Sequence, residues 1–140
     1  MKRRHRCLAA ALGLLLAASG CNKSDLVEAT GRLTYKGQPV PSTYVIFHPA
    51  EEGQRNSQGL TDDEGNFRLT NSKSAAGVIR GQHTVTLRYY VSADEETRKI
   101  PPKATRELQA VIAKYGDVNT SPWKVEITKG GQFFDLKIPE

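Results

Sequence analysis

A disulfide framework is the first thing this 140-residue chain cannot build, because it holds two cysteines, Cys7 and Cys21, both near its start. Downstream of Cys21 there is no thiol for a crosslink or a thiolate metal site, so stability there has to come from a hydrophobic core. Long apolar runs are missing too. The longest, Cys7 to Ala18, has 12 residues, whereas a membrane-spanning helix needs about 20. Histidine is scarce: past His5 only His48 and His83 occur, in separate strand-like segments, and no metal or other cofactor is expected from them. No serine lies in a Gly-x-Ser-x-Gly turn and no Ser, His and Asp spacing stands out, so no enzyme is expected. The acidic run Asp62-Asp63-Glu64 does not alternate as a calcium loop does, and Gly65 follows too early; it reads as turn chemistry.

What is present begins with Lys2, Arg3, Arg4 and Arg6, then the short apolar run, then Ser19-Gly20-Cys21. Charged, apolar and small-residue zones in that order make a secretory signal. Ala18-Ser19-Gly20-Cys21 resembles the lipobox of bacterial lipoproteins, with Ala18 where that family usually carries Leu. The resemblance implies that residues 1–20 are a signal peptide, that Cys21 is the lipid-attachment residue, and that residues 21–26 are a tether holding a domain over 27–140. Lipid anchoring gains about 0.8 kcal/mol per buried CH₂. Asn22 is not the Asp that lipoprotein sorting associates with inner-membrane retention, so the expected address is the cell envelope at the outer membrane.

Cleavage would also change the charge. Four of the 20 Lys and Arg precede Cys21 and all 15 Asp and Glu follow it, leaving 16 against 15, or +1. The basic balance of the whole chain therefore says nothing for nucleic acid, and none is expected as a partner.

From Leu26 the pattern has period two. Val27, Ala29, Gly31 and Leu33 share one face while Glu28, Thr30, Arg32 and Thr34 share the other, as in a strand with one wet side. Lys36-Gly37-Gln38-Pro39 is a turn, and Tyr44 to His48 is a second strand closed by Pro49. Ala50 to Gln58 reads as an exposed loop. A tight hairpin follows, with Leu60-Thr61 and Phe67 to Thr70 on either side of Asp62 to Asn66, and Gly65 where a positive φ is wanted. Asn71 to Gly77 is a further loop before Val78 and Ile79. His83 to Val91 is the longest alternating run, its odd positions facing inward.

Alternation stops between Ser92 and Pro122. Ser92 and Glu95 have capping-box spacing. Thr105 can cap a helix whose Leu108, Val111, Ile112 and Tyr115 form one apolar stripe, packed on the sheet, with Gly116 as the stop. Trp123, Val125 and Ile127 alternate with Lys124 and Glu126, then Lys129-Gly130-Gly131 gives a hairpin signal before Phe133 to Ile138. The expected fold is all-β: an antiparallel, Ig-like or transthyretin-like sandwich of about seven strands, with a short helical insert before the last two.

Thr30 to Val40 with Val45-Ile46-Phe47-His48-Pro49, then Thr61 to Phe67 and Arg80 to Val85, is similar to carboxypeptidase regulatory-like domains. That resemblance implies a transthyretin-like (prealbumin-like) β-sandwich and is nearly silent about activity. The insert Ser92 to Lys103 matches nothing in it. Hydroxyisourate hydrolases of similar fold end in Tyr-Arg-Gly-Ser; this chain ends Asp135-Leu136-Lys137-Ile138-Pro139-Glu140, which argues against that activity.

The function expected is that of a non-catalytic, membrane-anchored envelope module that binds an envelope protein or has a structural role. Its interaction face would lie on the loop Ala50 to Gln58 or on the insert. The alternative is a carbohydrate-binding module for an envelope polysaccharide, for which Tyr35, Tyr44 and Tyr90 are the candidate ligand face.

Overall fold

The computed structural model describes residues 26–71, 75–90 and 106–139. The signal segment, Cys21, the Ser92 to Glu95 capping box, the insert and Thr105 lie outside the described residues. Strands β1 (Leu26–Val27), β2 (Ala29–Tyr35), β3 (Gln38–Pro39), β4 (Thr43–Pro49), β5 (Ser57–Leu60), β6 (Asn66–Arg68), β7 (Thr70–Asn71), β8 (Ala75–Ala76), β9 (Val78–Ile79) and β10 (Gly81–Tyr89) precede helix α1 (Arg106–Lys114); β11 (Lys124–Ile127) and β12 (Gln132–Ile138) follow it. Among the described residues seven strands have three residues or more, and the other five have two. The fold is an all-β sandwich with one short helix.

One sheet has the order β11-β10-β4-β5-β7-β8; the other is β12-β2-β3, with β6 also on β2. A separate small ladder joins β1 to β9. Period-two alternation places Ala29 and Leu33 of β2, Val45 and Phe47 of β4, Val85 and Leu87 of β10, and Leu136 and Ile138 of β12 inside. Phe47 bridges the two layers, its ring 6.5 Å from Phe67 and 5.3 Å from Phe134. Burying a side chain of this size contributes about 1.5–3 kcal/mol.

Three local expectations are corrected by the ladders. Lys129-Gly130-Gly131 does not close a hairpin: β11 pairs antiparallel with β10, while β12 crosses to the other layer and runs parallel to β2, from Gln132 opposite Ala29 to Ile138 opposite Tyr35. Three hydrogen bonds hold that crossing. The Gln132 side-chain oxygen accepts the N–H groups of Thr128 (2.6 Å) and Lys129 (3.0 Å), and the Gly131 N–H donates to the Glu28 carbonyl at 2.8 Å.

Leu60 to Thr70 is likewise divided between layers, since β5 pairs with β4 and β7 while β6 pairs with β2. The turn between them is as the acidic run suggests. Asp62 Oδ1 accepts the N–H groups of Glu64 and Asn66, and Gly65 has a φ of 78°. A Cβ at Gly65 would lie 2.5 Å from the Leu33 carbonyl oxygen. Finally, Ser57 and Gln58 are not loop but the start of β5, paired to Phe47 and Ile46. Ser-Gln-Gly-Leu carries little strand propensity; Gly59 is tolerated because the Arg68 carbonyl presses where a side chain would be.

Helix α1 buries Leu108 and Ile112, with Tyr115 just beyond it, and leaves Val111 half-buried, as the stripe predicts. Its position does a second job. β11 covers only residues 81–84 of β10; further along, the N–H of Val85 donates to the Trp123 carbonyl at 2.9 Å and that of Leu87 to the Tyr115 carbonyl at 3.0 Å. Tyr115 at the end of the helical segment and Trp123 just before β11 thus satisfy a strand edge that would otherwise be open to another chain.

Candidate functional site

The antiparallel register of β4 and β10 sets Tyr44 opposite Arg88, Ile46 opposite Thr86 and His48 opposite Thr84. Residues directly opposite share a face, and the odd positions of both strands point into the core, so these six side chains form the outer face of the larger sheet. Helix α1 flanks that face. Between them lies a groove of about 390 Å³, walled by Ile46 and His48 on the strand side and by Gln109, Ile112 and Ala113 on the helix side, with Thr86 beneath and Arg88 at one end.

Thr86 is buried although it belongs to the outer face. Its hydroxyl lies 2.8 Å from His48 Nε2, and Asn56 also hydrogen-bonds the His48 side chain. Burial holds the His48 imidazole below its usual range, so the neutral ring predominates at pH 7. At the groove's end the Arg88 guanidinium stands 5.4 Å from the centre of the Tyr44 ring, a cation–π contact. Tyr90 meets Tyr44 edge-on, with ring centres 5.6 Å apart and planes at 78°.

Of the sequence-predicted ligand face, the structure therefore brings Tyr44 and Tyr90 together and leaves Tyr35 apart. Tyr35 belongs to β2 in the other sheet. Its hydroxyl donates to Glu107 Oε1 at 2.6 Å, the same oxygen that Lys36 Nζ reaches at 2.8 Å, and Lys36 lies 5.2 Å from the Tyr35 ring centre. The bond to Glu107 holds both the phenol and the ammonium above their ordinary ranges; the bond from Lys36 holds the Glu107 carboxyl below its own. Here Tyr35 fastens the start of α1 to the β2–β3 turn.

His83 takes an inner position on β10 and is 2% exposed. Its Nδ1 is 3.1 Å from the Gly81 carbonyl and its ring is 6.0 Å from that of Phe47, while Nε2 has no hydrogen-bond partner among the described residues. Burial pushes its pKa down. His48 and His83 are thus on adjacent strands but opposite faces, and among the described residues no three His, Cys, Asp or Glu side chains gather closely enough to hold a metal. No helix among the described residues is long and apolar enough to cross a membrane.

Arg88, Gln109 and Ala113 were not singled out by sequence, whereas Ile112 belongs to the apolar stripe. Alternation puts Arg88 on the wet face with Tyr90; that α1 would lie along the same face has no local signal.

No family model matches the chain, and no curated protein matches it. Among solved structures it is similar to a DUF3823 family protein from Parabacteroides merdae, at 14% identity and a TM-score of 0.45, over 80% of this chain and 45% of that one. It is also similar to a 9R-lipoxygenase from Cyanothece, at 15% identity and a TM-score of 0.37, over 83% of this chain and 16% of that one. The chain thus spans less than half the length of the first and about a sixth of the second. Likenesses this weak carry nothing about activity, and the architecture described above rests on the chain's own ladders.

Proposed function

We propose that the protein is a non-catalytic lipoprotein of the bacterial cell envelope: exported by residues 1–20, held by lipid on Cys21 at the outer membrane, and carrying a carboxypeptidase regulatory-like, transthyretin-like module that docks an envelope protein. The observation that carries this reading is the Ser19-Gly20-Cys21 sequence at the end of a short apolar run. The folded part supports it in one respect. β1 begins at Leu26, so Asn22 to Asp25 is all that separates the lipid position from the first strand, and the sandwich would be held close to the membrane surface.

The docking face in this reading is the outer face of the larger sheet, where Tyr44, Arg88 and the groove beside α1 offer aromatic, cationic and apolar contacts together. A sugar-binding reading needs a platform of exposed coplanar rings. The perpendicular Tyr44–Tyr90 pair and the engaged Tyr35 do not supply one, so protein docking is preferred. Intact mass of the membrane-extracted protein, compared with Cys21→Ser, tests the anchor. A mass equal to residues 21–140 plus a lipid adduct, absent from the variant, is expected; a soluble wild type without adduct would overturn the reading.

A further inference from the structure

The groove between β4 and α1 has a chemistry more specific than a docking face. Its walls at Ile46, Ile112 and Ala113 are aliphatic. Among the described residues lining it there is no Asp or Glu, and Arg88 is the one Arg or Lys. Arg88 makes no ion pair among the described residues; its contact is the face of Tyr44, which orients the guanidinium without using its N–H donors. A guanidinium whose donors meet no acceptor among the described residues, held at the end of an apolar cleft, is built to take a planar anion in a bidentate grip.

We infer that this groove binds an acidic peptide segment, with a carboxylate paired to Arg88 and a neighbouring aliphatic side chain lodged between Ile46 and Ala113. The inference deepens the docking reading proposed above and rests on it. A volume of about 390 Å³ lies at the small end of ligand sites, which suits one side chain and its neighbour. Charge decides the orientation of the segment and the apolar walls supply the burial. Because Thr86 and His48 are already bonded to each other, the polar selectivity falls on Arg88, the charged group, with the Gln109 amide on the helix wall.

Methyl NMR on the protein as purified from the cell tests this, with acetyl-Leu-Glu-amide as probe and acetyl-Leu-Gln-amide as its uncharged match. The Glu peptide is expected to shift the methyl signals of Ile46, Ile112 and Ala113 saturably, and to bind at least tenfold more tightly than the Gln peptide. Arg88→Gln should erase that preference while leaving the core methyls of Leu33 where they were. Equal affinity for the two peptides, or no saturable shift, would overturn the inference. So would a uronic acid moving these methyls when the peptide does not, or changing Asp94, Glu95 and Glu96 to their amides moving them with no probe present, since the chain itself would then be the occupant. Loss of peptide binding with the lipid adduct intact refutes only the groove's ligand; peptide binding without an adduct refutes only the anchor.

Discussion

The backbone N–H of Leu87 donates to the carbonyl of Tyr115 at 3.0 Å, so a residue just past the helix serves as the hydrogen-bonding neighbour of a strand. This bond, with the packing of α1 on β10, ties the helical segment to the middle of the strand, and with it the wall of the groove to its base. Ile112 packs beneath the same connection at 2% exposure.

Ile112→Ala should therefore act as a core truncation rather than a surface change. A loss of about 2–4 kcal/mol is expected from the transfer and cavity terms, against about 0.5 kcal/mol or less for Val118→Ala at an exposed position. Urea unfolding of both variants checks it; equal effects would mean that the helix is not part of the core.

Gly65→Ala should be costly for two separate reasons. The residue holds a φ of 78° and its Cβ would meet the Leu33 carbonyl oxygen at 2.5 Å. Gly53 has a φ of 82° with open space around it, so Gly53→Ala measures the conformational strain alone, about 1 kcal/mol. The expected difference between the two variants, about 1–2 kcal/mol, is the cost of pushing the turn away from β2.

Stability should fall as the solution is acidified through the histidine range. Burial lowers the folded-state pKa of both His83 and His48, so the unfolded chain binds protons first. The contribution is complete above the ordinary value near 6.5, and is lost as pH falls from there through the depressed folded pKa, at up to about 1.4 kcal/mol per pH unit for each ring. Thermal or urea midpoints at pH 7.5 and 5.5 read this. His83→Gln should flatten the dependence, and an unchanged slope would show that His83 does not contribute.

The Tyr35–Glu107 bond should be visible in the phenol titration. Glu107→Gln removes the carboxylate that holds the Tyr35 proton, and the Tyr35 midpoint should move down toward the ordinary tyrosine value. Tyr89 and Tyr115, raised by burial instead, should not move with it. Ring-carbon NMR of the tyrosines between pH 8 and 12 separates the three.

Which side chains face the core was readable from the chain alone. Ala29, Gly31 and Leu33 on one strand, His83, Val85 and Leu87 on another, and the Leu108, Ile112 and Tyr115 stripe all take the sides that their spacing assigns. The reason is local: a strand turns over every residue and a helix every 3.6, so periodicity reports orientation whatever the neighbour is. Turn positions were readable on the same ground, since Gly65 and the Asp62 carboxylate act within a few residues of themselves.

Pairing was not readable in that way. The alternation of Trp123 to Ile127 and of Phe133 to Ile138 is the same whether the two segments form a hairpin or join opposite layers. A hydrogen bond from Gly131 to Glu28, far away along the chain, decides for the second and makes β12 parallel to β2. The groove depends on tertiary structure most of all. Arg88, Thr86 and Ile46 become one surface only through the β4–β10 register, and α1 becomes its wall only because the open edge of β10 needs a partner that β11 is too short to supply. Orientation is a property of consecutive residues, whereas contact depends on which distant backbone groups satisfy each other, and that is settled only when the whole chain has folded.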